Sequence, residues 1–155
     1  MRVHLGTDHA GYKFKEALKQ HLGEQDYEVV DHGAHEYDAL DDYPAFCIAA
    51  AEAVVTDNAG GTPALGVVIG GSGNGEQMAA NKVAGARAAL AWNPEIARLA
   101  RQHNNAQIVS IGARQHSEAD ALAIVDAFLT EPFSGDERHE RRIGIMAAYE
   151  NGETI

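Results

Sequence analysis

Residues 64 to 82 read Ala-Leu-Gly-Val-Val-Ile-Gly-Gly-Ser-Gly-Asn-Gly-Glu-Gln-Met-Ala-Ala-Asn-Lys, and this stretch decides the fold. Leu65 to Ile69 is a short, β-branched apolar run, Gly70 to Gly75 holds four glycines in six residues, and Glu76 opens a segment of helical composition. The pattern is strand, tight loop, helix. Glycines let the backbone approach a ligand closely, and the free N–H groups at the following helix start attract an anion. An anion pocket with the Glu76 carboxylate on its rim follows. Two better-known loops do not fit. A dinucleotide fingerprint begun at Gly71 meets Glu76 where its third glycine belongs, and one begun at Gly73 meets Met78. A P-loop needs Lys after Gly75, where Glu76 stands, and a carboxylate beside polyphosphate is repulsive. The loop suits a small anion or a transient oxyanion, together with a base that removes a proton.

Outward from this unit the chain alternates. Arg2 to Thr7 reads as the first strand, ending at Asp8-His9-Ala10-Gly11, and Tyr12 to Leu22 as a helix with Lys13, Lys15, Glu16 and Lys19 on its wet side. Tyr27 to Val30 is the second strand. Asp31 to Asp42 carries five acids and reads as a loop, with Pro44 suited to the first turn of an apolar helix over Phe46 to Val55. Ala86 to Trp92 is the fourth strand, and Asn93 caps a helix begun by Pro94 and running to about His103. Gln107 to Ile111 is the fifth strand, Ser117 caps the next helix, and a last helix spans about Asp136 to Glu150. Five strands alternating with helices predict an α/β domain, a parallel sheet covered on both faces.

The frame is consistent with one domain over residues 1–155. A 16.5 kDa chain that is 45% hydrophobic and 23% charged is globular and long enough to bury a core. A net charge of −11 argues against nucleic acid or anionic membrane as partners. No run approaches the roughly 18 apolar residues of a membrane span, the N-terminus enters a strand at once, and Cys47 is the single cysteine. A cytoplasmic protein is expected.

In a parallel sheet, ligands bind at the carboxyl ends of the strands. That rule selects Asp8, His9, the loop Gly70 to Glu76, Asn93 and Arg114. Asp8 also has a bland reading as a helix N-cap. His103, Asn104 and Asn105 fall where a helix stops, a place that favours His and Asn for structural reasons. Arg138 and Arg142 are four apart and share a helix face, with His139 and Arg141 beside them. They read either as a solvated face with Glu137 pairing to Arg141 or as a bidentate phosphate grip. Cys47 lies among apolar residues and reads as an inert buried thiol. Trp92 reads as core or pocket wall. The histidines at 4, 21, 32, 35 and 116 have no partner spacing, and no Cys/His cluster suggests a metal.

Asp8-His9-Ala10-Gly11, Asp42-Tyr43-Pro44, Gly70 to Glu76 with Ala79-Ala80-Asn81-Lys82, His103-Asn104-Asn105, and Arg138 with Arg142 together resemble the ribose-5-phosphate isomerase type B family, in order and over nearly the whole chain. The match is best to its actinobacterial branch. The resemblance implies a three-layer α/β/α sandwich and a metal- and cofactor-free interconversion of ribose 5-phosphate and ribulose 5-phosphate. It also implies a homodimer with sites at the interface, with a dimer of dimers as a further assembly. In another branch the base is a cysteine at the position of Gly70; here the resemblance assigns it to Glu76. It gives ring opening to His103 with Asp8 as helper. The Ser72 hydroxyl and the backbone of Gly71, Gly73, Asn74 and Gly75 stabilise the enediolate, and His9, Asn104, Arg114, Arg138 and Arg142 hold the hydroxyls and phosphate. The alternatives are a six-carbon phosphosugar isomerase, a non-catalytic phosphosugar sensor, and a flavin or nucleotide module. The last is poorly served by an aromatic content of 6%.

Overall fold

The computed structural model describes all 155 residues. Five strands form one parallel sheet in the order β2-β1-β3-β5-β4: β1 (Arg2–Thr7), β2 (Glu28–Asp31), β3 (Ala64–Gly70), β4 (Ala88–Leu90) and β5 (Ile108–Gly112). The helices are α1 (Tyr12–Gly23), α2 (Tyr43–Ala59), α3 (Asn74–Ala80), α4 (Pro94–Asn104), α5 (Glu118–Thr130) and α6 (Glu137–Glu150). Central β3 is buried along its whole length, as its unbroken apolar run requires of a strand covered on both faces. Val3, Leu5, Val67, Ile69, Val109 and Ile111 pack against α1, α4 and α5, while Val68 and Ile108 point the other way against α2 and α3. The result is the expected three-layer α/β/α sandwich.

The elements fall where the sequence put them, with adjustments that have physical causes. β4 covers three residues rather than seven, because it is an edge strand paired only to β5. The Asn81 side chain clamps its start, accepting from Ala88 N at 2.8 Å and donating to Ala88 O at 2.9 Å. α2 is longer than Phe46 to Val55, starting with Pro44 in its first turn. Asn93 and Ser117 cap their helices through Ile96 N and Asp120 N. Lys15 departs from expectation: it is fully buried rather than on the wet face. Its ammonium pairs with Asp31 and with Glu16 at 3.1 Å, because the polar stripe of α1 turns toward the end of β2. Burial alone would raise the Asp31 carboxyl, but Lys15, Lys19 and the Gly33 N–H lower it to about 2.

α6 stands apart from the sandwich. Its one buried side chain is His139, and Ile145, Met146 and Tyr149 are exposed. Ser134 N bonds Gln102 O ahead of it and Glu150 accepts from Gly85 N at its end. The helix therefore crosses the amino edge of the sheet, opposite the glycine loop.

Candidate active site

The loop after β3 is fixed from several sides. Gly73 takes φ +84, a left-handed conformation that L side chains rarely adopt, and starts α3. Its carbonyl accepts from Ser110 Oγ at 2.7 Å, and a Cβ there would meet Leu90 Cδ1 at 2.7 Å. Tyr43 packs on Gly75. Asn74 N and Nδ2 both donate to Ser72 Oγ, at 3.3 and 3.2 Å. Arg114, from the turn after β5, lies against Gly71, and its own N–H bonds Gly71 O at 3.2 Å.

Within this cradle the Glu76 carboxylate folds back over Gly70. A Cβ added at Gly70 would overlap Glu76 Oε1 and Cδ, so a side chain there would have to displace the carboxylate, which fills that space. Glu76 is 5% exposed. Burial raises its pKa, the negative charge of Asp8 adds to that, and the N–H groups of Glu76 and Gly73 act partly against it. The fold itself therefore supplies the desolvation that strengthens a carboxylate placed in the first turn of a helix.

Asp8 is buried beside the loop, with Oδ1 accepting from Ala10 N at 2.9 Å. It is not a helix cap; α1 starts after Gly11 without a side-chain cap. His9 donates its backbone N–H and presents ring Nδ1 to Asp41 Oδ1, at 2.9 and 2.7 Å. Ligand atoms of Asp8, His9 and Asp41 lie within 4.8 Å of one another, the one group of three able to surround a cation, with His9 and Asp41 already bonded to each other. Thr7 Oγ1 donates to Ile69 O at 2.7 Å and ties the ends of β1 and β3 together. Cys47 is fully buried on α2, and its thiol pKa is driven far up by burial and by the charges of Glu76 and Asp8. Both carboxylates oppose a thiolate, so Cys47 is the inert buried thiol that its apolar surroundings in the sequence suggest. Trp92 is 59% exposed, so it is not core; it lines a shallow cleft with Ser72, Asn74 and His116.

The remaining residues gather elsewhere. α4 starts at the carboxyl end of β4 and runs back, so His103 sits roughly 14 Å along the helix axis, at the amino edge. There its ring stacks on His139, with centroids 4.4 Å apart and planes at 10°. Burial, with His103 and Arg138 nearby, lowers the His139 pKa. Arg87 holds the segment beyond, donating to Asn104 O at 3.1 Å and Asn105 O at 3.0 Å. Asn105 ends the helix at φ +42, as the structural reading of this stretch requires. Arg138 and Arg142 are exposed and form no ion pair, and the Glu137 to Arg141 pair is absent. One chain thus brings Asp8, His9, Ser72, Glu76 and Arg114 to the carboxyl edge and keeps His103, Asn104, Arg138 and Arg142 at the amino edge. Asp41, a single acid among five in its loop, gave no sequence signal; His139 was visible only as a neighbour of the arginines.

Residues 3–146 match the family described as Ribose/Galactose Isomerase. A ribose-5-phosphate isomerase B of Mycobacterium tuberculosis is 60% identical over 150 residues, covering 97% of this chain and 90% of that protein. The ribose-5-phosphate isomerase B of Clostridium thermocellum superposes with a TM-score of 0.91 at 39% identity, over 98% of this chain and 99% of that one. The enzyme of Mycoplasma genitalium, solved with bound ribulose-5-phosphate, gives 0.91 at 39%, over 97% and 96%.

Proposed function

The chain belongs to the ribose/galactose isomerase family, and on that premise we propose that it interconverts ribose 5-phosphate and ribulose 5-phosphate with Glu76 as the base. The observation that carries the assignment is the buried Glu76 carboxylate occupying the space over Gly70, at the carboxyl edge of the central strand. A base works best with a pKa near the operating pH, and burial moves Glu76 in that direction. In the open-chain aldose, Glu76 takes the hydrogen from C2. The electrons form the C1–C2 double bond, and negative charge collects on the enediolate oxygens. Backbone N–H groups of Gly71 to Gly75 and the Ser72 hydroxyl stabilise that charge. Glu76 returns the proton at C1, while O1 gains a proton and O2 loses one, giving the ketose.

Ring opening needs a donor and acceptor at the ring oxygen and anomeric hydroxyl, a task for His103 with Asp8. His9, Asn104, Arg114, Arg138 and Arg142 hold the hydroxyls and phosphate. Since His103 and the two arginines lie at the far edge of their own chain, each site combines the Glu76 side of one chain with the His103 side of a second. The exposed Ile145, Met146 and Tyr149 on α6 support such pairing. The lone buried Cys47 suits a cytoplasmic location, and no helix is long and apolar enough to cross a membrane.

The test is turnover of ribose 5-phosphate beside six-carbon phosphosugars, followed by subunit exchange. Inactive Glu76→Gln mixed with inactive His103→Ala should regain activity, because each hybrid dimer rebuilds one intact site. No recovery after verified exchange would exclude a shared site.

A further inference from the structure

Asp41 lies in the acidic loop two residues ahead of α2, outside every motif of the sequence. Its Oδ1 accepts from the backbone N–H and from ring Nδ1 of His9, at 2.9 and 2.7 Å. Its Oδ2 is buried and accepts no hydrogen bond, so His9 supplies both donors that this carboxylate receives. The Asp41 side chain is 11% exposed. A carboxylate so far removed from water relies on its hydrogen bonds, and here those fix the loop and the histidine in one geometry.

The ring of His9 is confined on its other sides too. Tyr37 meets it edge-on at 6.3 Å and 90°, and Asp8 Oδ2 lies 3.9 Å from Nδ1. With Nδ1 given to Asp41, Nε2 is the one ring nitrogen left for a ligand. We propose that Asp41 is a positioning residue of the substrate site, holding His9 with Nδ1 protonated and Nε2 turned to the phosphosugar. This rests on the proposed function, in which His9 contacts the substrate.

Steady-state kinetics on wild type and His9→Ala come first. A raised KM in His9→Ala establishes the contact independently of Asp41, and an unchanged KM removes both the contact and the positioning role. Given that contact, Asp41→Ala should raise KM for ribose 5-phosphate about three- to tenfold, the scale of one weakened charge-assisted bond, with kcat changed less than about twofold. Asp41→Asn keeps an oxygen acceptor and should recover part of the loss. In the His9→Ala background, Asp41→Ala should add almost nothing, since its effect passes through the ring. Full multiplication of the two effects, or an unchanged KM in folded Asp41→Ala, overturns the proposal. If Asp41→Ala does not fold, imidazole ¹⁵N NMR of the wild type at alkaline pH decides. The neutral ring should carry its proton on Nδ1, and a proton on Nε2 refutes the assignment.

Discussion

The two edges of the sheet are built to different degrees of completion. At the carboxyl edge every group is held by its own chain: Glu76 is packed over Gly70, Gly73 is fixed by Ser110, and His9 is bonded to Asp41. At the amino edge, His103 is steadied by His139 and Arg87 secures the Asn104 backbone, yet Arg138 and Arg142 form no ion pair and α6 exposes apolar side chains. A proton-transfer group needs desolvation and fixed geometry, which a core supplies. A phosphate grip needs free positive charge, which a core excludes. The chain therefore buries the proposed base, Glu76, within itself and leaves Arg138 and Arg142 to face something outside.

The largest effect should come from removing the proposed base. Glu76→Gln keeps the shape over Gly70 and should lower kcat by roughly 10²–10⁴, the usual worth of a positioned general base, with substrate affinity nearly unchanged. Cys47→Ser should leave turnover intact, because its thiol is buried and held protonated beside two carboxylates. Near-normal kcat in Glu76→Gln, or loss of turnover in folded Cys47→Ser, would remove the carboxylate assignment.

At the other edge the effect should fall on binding. Arg142→Ala should raise KM about tenfold or more, since one charge-assisted contact to phosphate is worth about 1.5–3 kcal/mol, while thermal stability stays as it was because Arg142 is exposed and unpaired. Unchanged KM would return this helix face to a solvated role.

The smallest effect is on stability, with opposite sign to the loss of activity. The folded protein raises the Glu76 pKa above its ordinary 4.5, so the ionised form costs stability once the pH exceeds the unfolded value. Glu76→Gln removes that cost. Its melting temperature relative to wild type should rise between pH 4 and pH 7. A difference that is flat or falls with pH would mean that Glu76 is not destabilised by burial.

The order of elements, the parallel sheet and the glycine loop are legible in the sequence, because these depend on local chemistry. β-branched runs, cap residues such as Asn93 and Ser117, and Pro44 and Pro94 at helix starts all act within a few positions of the chain. The sequence also carried the identity of Glu76, since a carboxylate six residues past Gly70 is visible without coordinates. Each group's environment and neighbours came from the three-dimensional packing. Lys15 and Asp31 meet from α1 and β2, His4 bonds both His32 and Asp57 at 2.9 Å across 28 and 53 residues, and Asp41 reaches His9 from 32 residues away. Such pairings arise from strand order and from how α2 and its preceding loop lie on the sheet, and neither leaves a period in the sequence. The same cause separates Glu76 from His103. Both stand in recognisable motifs, but only the direction of α4, antiparallel to the strands, carries one to the opposite edge from the other.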